Sequence, residues 1–192
     1  MALTASTMLA LGTKAPDFQL TEVTTGEQIS LHSFCDKKAL LVMFVCQHCP
    51  YVKHIQDHLS LLGEDYFSSG LGIVAISSND AAKYPDDSPE SLGSMAKQLG
   101  LKFPLLYDEN QRVARAFTAA CTPDFFLFNN SCQLVYRGQL DDSRPGNGRP
   151  VTGSDLRNAI DATLLGKPVS ADQKPSIGCN IKWKPGQEPS YS

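Results

Sequence analysis

The sequence has no run of basic residues, no apolar stretch long enough to cross a bilayer, no internal repeat and no ladder of evenly spaced cysteines. Acids and bases are interspersed and the net charge is -3, so there is no electrostatic footprint for nucleic acid or for an anionic membrane. The most apolar run, Ala39 to Cys46, is far shorter than the roughly 20 residues that a spanning helix needs. Met1 to Leu11 lacks a basic segment ahead of its weak apolar stretch, which reads as an ordinary cytoplasmic start. Six cysteines in 192 residues are too few and too unevenly spaced for a secreted disulfide framework, and a reducing compartment is expected. A second C-x-x-C to complete a zinc site is also missing. No resident metal or cofactor is expected, and partners are expected among small molecules and other proteins.

The chain does have enough apolar content for a core, 42% over 192 residues, which suits one domain with decorations. The runs Ala39 to Val45, Leu71 to Ile76 and Phe125 to Phe128 read as strands buried on both faces, as in a largely parallel sheet. Helical periods follow Pro50 (Val52, Ile55, Leu59, Leu62), Ser88-Pro89 (Leu92, Met95, Ala96, Leu99) and Asp108 (Val113, Ala114, Phe117). A last helix is expected from near Thr152, whose T-x-x-D spacing resembles a capping box, to Gly166. Hairpins are expected around Thr24-Thr25-Gly26 and Asn129-Asn130-Ser131. The fold class is therefore α/β, a central mixed sheet flanked by helices with antiparallel edges and an N-terminal β-hairpin. We divide it into a domain over 1–166 and an extended tail over 167–192 that carries Cys179.

Cys49 stands where an apolar strand runs into a helix start. Pro50 suits the first helical position, which makes Cys49 the N-cap, where unpaired N–H groups and the positive end of the helix dipole stabilise a thiolate. That turns the sulfur into a nucleophile at neutral pH. His48 and Lys53 would add positive potential. Cys46 lies three residues earlier, and Ala120-Cys121-Thr122-Pro123 precedes the strand at Phe125, with Pro123 confined to the turn and suited to a cis bond. Cys121 and Thr122 would face the catalytic end of the sheet, unless Cys121 is packing filler. In the tail, Cys179 is followed by Trp183 and Pro185-Gly186. Cys35 should be exposed, and His54 and His58 should lie on a solvated helix face.

These motifs resemble the alkyl hydroperoxide reductase / thiol-specific antioxidant group (AhpC/TSA), the peroxiredoxin-like branch of the thioredoxin superfamily. Ala15-Pro16-Asp17-Phe18, the strand ending in Cys49-Pro50, Phe103-Pro104-Leu105-Leu106-Tyr107-Asp108, Thr122-Pro123 and the Cys179 to Trp183 spacing all match it. The resemblance implies a thioredoxin-like fold, with Cys49 as the peroxidatic thiol and Cys179 as the resolving one; the tail would either fold back over its own site or reach a neighbour's in a homodimer, and the resemblance favours the second. It implies a peroxide substrate and a thioredoxin-like reductant. Four positions depart from it. Cys46 stands where peroxiredoxins have Thr or Ser, Val42 where they have Pro, and Pro123 where their activating arginine falls. Val52 stands where thioredoxins place a second cysteine.

The expected reaction is attack by Cys49 on a peroxide to give a sulfenic acid, condensed by a second thiol to a disulfide and re-reduced by exchange. Two alternatives accompany it. A thiol-disulfide oxidoreductase would use Cys49 with Cys46 or Cys121, and Thr122-Pro123 would hold the backbone of a protein disulfide. A copper-binding protein would use Cys46, His48, Cys49 and His54 as ligands.

Overall fold

A computed structural model describes residues 3–191; Met1, Ala2 and Ser192, which fall within the expected start and tail, lie outside the described residues. Its spine is β4 (Ala39–Phe44), buried at every position. On one side β4 pairs in parallel with β5 (Leu71–Ser77), and β5 in parallel with β6 (Leu105–Tyr107). On the other side it pairs antiparallel with β8 (Asp124–Asn129), which carries β9 (Leu134–Gly138). The hairpin of β2 (Gln19–Glu22) and β3 (Gln28–Ser30) joins the edge at β6, giving a seven-stranded sheet in the order β3-β2-β6-β5-β4-β8-β9. The sheet is thus mixed rather than largely parallel. Strand β6 was not foreseen, because three residues after Pro104 are too short to show a period.

Alternation along β4 divides the interior in two. Leu41 and Met43 face α1 (Pro50–Asp65), α2 (Pro89–Leu99) and α4 (Ser154–Leu164) through Val52, Ile55, Leu92 and Leu156. Val42 and Phe44 face the opposite side, where α3 (Arg112–Ala116) is followed by Phe117. Phe117 is fully buried, with its ring centroid 6.5 Å from Phe18, 5.6 Å from Phe44, 5.5 Å from Phe126 and 6.0 Å from Phe128. Tilted and edge-to-face geometries of this kind add to the area term.

Two expectations are corrected. The capping box at Thr152 does not form: the N-cap of α4 is Gly153, at φ 69°, a left-handed conformation that glycine adopts freely. The N–H groups of Thr152 and Gly153 both donate to Asp141 Oδ2, each at 2.6 Å. A carboxylate from the preceding loop thus takes the donors that the Thr152 side chain was expected to organise. Nor does the tail stand apart from the domain over residues 167–191. Strand β10 (Ile177–Asn180) lies between β1 (Leu3–Ala5) and the two-residue β7 (Cys121–Thr122) in a second, three-stranded sheet. Beyond it, Ile181 and Trp183 are buried in the Phe117 cluster. Strand β10 escaped notice because its pairing is entirely long-range, and Ile-Gly-Cys-Asn has no alternation of its own.

Phe117→Ala should lower stability by about 3–5 kcal/mol, the usual cost of emptying an aromatic-sized site. Urea denaturation of the variant should show a reduced midpoint and an unchanged slope.

Candidate active site

After β4 the chain turns sharply. Val45 N–H donates to Ile76 O (3.0 Å), the next four residues form a loop, and Pro50 starts α1. Cys49 is the N-cap, in extended conformation at φ -71° and ψ 123°, as the strand–Cys–Pro pattern predicts. The loop is held by one buried carboxylate. Asp87, at the end of a 3-10 turn over Pro85–Asp87, accepts from Gln47 N (2.8 Å), His48 N (3.3 Å) and Asn79 Nδ2 (2.7 Å), and its Oδ2 lies 2.5 Å from His48 Nδ1. The His48 ring stacks on Tyr84, with centroids 5.3 Å apart. Nothing in the sequence marks Asp87, which with Asp86 reads as an ordinary solvated pair ahead of a helix cap.

Three thiols converge at the end of this loop. Cys49 and Cys46 both reach Thr122, through its carbonyl and its hydroxyl, and Cys179 pairs with Thr122 across β7 and β10; Cys49, Cys46 and Cys179 are 0%, 1% and 4% exposed respectively. The structure therefore brings together two of the three candidates for a partner thiol, Cys46 and Cys179. Cys46, at the end of the β4 segment, points toward Cys49 and also lies 3.3 Å from Thr122 Oγ1. As a thiol, Cys49 donates to Thr122 O (3.2 Å). As a thiolate, it accepts from Cys46, Cys179, the Thr122 hydroxyl and Val52 N–H instead. The hydrogen bond from Cys46 is the largest influence, and together with the other donors it overcomes burial to hold the Cys49 thiol down at about 4. Both partners shift the other way. Donation to Cys49 and then burial push the Cys46 thiol up, while burial and then donation to Cys49 push Cys179 to about 12.

Thr122 and Pro123 meet expectation, with a cis peptide bond between them beside the thiols. Cys121 behaves as the packing reading has it: fully buried, with its thiol turned to the main-chain oxygens of Pro123 (3.5 Å) and Ser176 (3.9 Å), and pushed up by burial. Lys53 and Cys35 are exposed. His54 is half-buried, with its Nε2 2.7 Å from Ser143 Oγ, which corrects its assignment to a solvated face and separates it from the proposed copper ligands. The donors that do gather there are Cys46, His48 and Asp87, within 4.8 Å of one another. Asp87, however, is already occupied as the anchor of the loop.

Arg137 is not placed to stand in for the arginine missing at Pro123. Arg137, buried in β9, lies 3.6 Å from Asp124 Oδ2 and donates to Thr118 O (2.9 Å). Burial raises the Asp124 carboxyl to about 6 even against that guanidinium.

The tail is clamped by buried amides, another feature that sequence reasoning missed. Asn79 Oδ1 accepts from Lys182 N (2.8 Å), Gln111 Nε2 donates to Lys182 O (2.9 Å), and Gln111 Oε1 accepts from Lys184 N (2.8 Å). With Trp183 buried between these clamps, the tail folds back over its own site and Cys179 lies beside the Cys49 of its own chain.

A thiolate at a helix N-terminus, beside a cis-proline turn and a second thiol three residues away, defines a thiol oxidoreductase of the thioredoxin-like fold. The chain belongs to the AhpC/TSA family, whose sequence model matches residues 11–137. It is similar to a solved structure of an uncharacterized conserved protein from Geobacillus kaustophilus, at 54% identity and a TM-score of 0.94, covering 96% of this chain and 98% of that one. A Mycobacterium tuberculosis protein provisionally named a peroxiredoxin is 31% identical over 118 residues, 61% of this chain and 69% of its own. The thiol-disulfide oxidoreductase ResA of Geobacillus kaustophilus is 25% identical over 133 residues, 68% of this chain and 70% of its own.

Cys46→Ala removes the strongest donor to the Cys49 thiolate. Losing one hydrogen bond to a charged group, about 1.5–3 kcal/mol, should raise the Cys49 midpoint by roughly one to two pH units. Thiolate absorbance near 240 nm, followed against pH in both proteins, measures that rise.

Proposed function

We propose that the protein reduces peroxides through Cys49, with Cys179 of the same chain as the resolving thiol; the pairing of Cys179 with Thr122, whose carbonyl accepts from the Cys49 thiol, carries this reading. The Cys49 thiolate attacks one peroxide oxygen, the O–O bond breaks, and the other oxygen leaves as an alcohol or water after taking a proton. Cys49 is then a sulfenic acid. The Cys179 thiol attacks that sulfur and expels water, forming the Cys49–Cys179 disulfide. Two electrons from a dithiol reductant, plausible in thioredoxin-like form, restore both thiols by exchange. Cys179 suits the resolving role because it arrives on a separate strand, β10, paired with Thr122 beside the Cys49 sulfur, whereas Cys46 belongs to the same tight loop as Cys49. A homodimer is compatible with this chemistry and contributes no thiol to it. We place the activity in the reducing cytoplasm, where such a cycle can be completed.

A second reading, exchange with protein disulfides, is favoured by the Thr122–Pro123 turn, which lies beside Cys49 where a substrate backbone would pair.

The deciding experiment is peroxide consumption with mass mapping of the oxidised chain. Cys49→Ser should abolish consumption. Cys179→Ser should still form one sulfenic acid, trapped by dimedone on Cys49, but should stop turning over through the Cys49–Cys179 disulfide. A chain whose Cys49 does not respond to peroxide overturns the proposal in favour of disulfide exchange.

The first step should also be insensitive to pH near neutrality. A thiol held down at about 4 is ionised throughout the range from about pH 6 to 8 and loses its charge as pH falls through 4, so the oxidation rate should be flat in the first range and drop in the second. An ordinary thiol would instead gain close to tenfold per unit. Stopped-flow measurement of the first oxidation step separates the two.

A further inference from the structure

Strand β10 occupies a particular place. It pairs antiparallel with β7, with Cys179 opposite Thr122 and Asn180 opposite Cys121, immediately before the cis bond to Pro123. A client protein offering a disulfide to Cys49 would have to add an extended segment along this same edge, taking main-chain hydrogen bonds from β7 and bringing its cysteine to Cys49. The chain has filled that edge with its own residues, and its own cysteine stands at the position of exchange.

Gly178 makes the fit possible. A β-carbon added there would overlap the carbonyl oxygen of Thr122 and lie 2.7 Å from its carbonyl carbon and 3.2 Å from Pro123 N. All three atoms are backbone, held by the β7 pairing and the turn, so a side chain could be admitted only by moving β10 away. Its other edge is closed by β1, with Thr4 opposite Gly178. Both ends are tied: Ser176 Oγ donates to Pro123 O (2.6 Å) and its carbonyl accepts from Ser6 N (2.9 Å), while Ile181 N donates to Ala120 O (3.1 Å) ahead of the Asn79 and Gln111 clamps. A segment anchored on both sides and at both ends is a built-in part of the site.

We infer that Ile177–Asn180 is an internal substrate strand, seated through the missing side chain of Gly178, which makes exchange at Cys49 intramolecular and restricts the oxidant to small peroxides by excluding protein disulfides. This rests on Cys49 being the nucleophile, as proposed above, and it decides between the two readings given there. Gly178 is a positioning residue: it sets the approach of Cys179 without touching the reacting atoms.

The test uses the full chain with Gly178→Ala, and independently with Thr4→Pro, which removes a main-chain donor opposite Gly178 and touches neither cysteine. Diamide, which oxidises a thiol pair without peroxide, serves as oxidant, so a failure of the peroxidase reading does not conceal the result. The unaltered chain should form the Cys49–Cys179 disulfide rapidly, and each variant should form it about a hundredfold more slowly, since displacement by about 1 Å has that effect on aligned groups. In a Cys179→Ser background, an activated mixed disulfide of the peptide Ile-Gly-Cys-Asn reports on the vacated edge: Cys49 should capture it slowly when β10 is intact and much faster in either variant. Coupling of Cys49 to Cys179 at the unaltered rate in both variants, or peptide capture no faster in either of them, overturns the inference.

Discussion

A thiolate buried from water must be stabilised by hydrogen-bond donors, and the arrangement around Cys49 follows from that requirement. Leaving water costs a charged group several kcal/mol unless hydrogen bonds replace the lost hydration. Here the replacements are two thiols, the Thr122 hydroxyl and the N–H of Val52 at the start of α1. Each comes from a different part of the chain: the loop after β4, strand β10, strand β7 and the helix itself. The fold converges on one sulfur because no single element could satisfy it.

Two sets of buried polar groups keep that convergence in place. Asp87 draws the loop down through Gln47, His48 and Asn79, fixing where Cys46 and Cys49 stand. Asn79 also accepts from Lys182, so one side chain joins the loop to the returning tail. Trp183 and Ile181 add apolar burial against the Phe117 cluster, where exposure to water would be unfavourable. The tail is therefore bound by the same core that β4 divides, and Cys179 is positioned by packing as well as by hydrogen bonds.

What could be read from the sequence divides along the range of the interactions. The strand into Cys49, Pro50 as the first helical residue, and the turn at Thr122–Pro123 are local patterns, each explained within a few residues. The apolar faces of α1 and α2 were visible for the same reason. Strand β10, the two-residue β7 and the anchoring role of Asp87 depend on partners far away in sequence, and none has a periodicity to announce it. The path of the tail, back over its own site or out to a neighbour's, was open in the sequence, since only the pairing of β10 with β7 shows where the tail runs. Cys121 shows the converse: a cysteine beside a catalytic turn that is simply packed.

The lost arginine can be understood in the same terms. Cleaving an O–O bond leaves negative charge on the departing oxygen, and a guanidinium meets that need by position and charge. A site without one must offer a proton instead. The resting cluster favours Cys49 ionised and keeps Cys46 and Cys179 protonated, so S–H groups remain available as hydrogen-bond donors beside the nucleophile. Cys46, in the position where the family has a hydroxyl, supplies a thiol hydrogen where that hydroxyl would have supplied its own, and it is bonded to Thr122, whose hydroxyl can replenish the network.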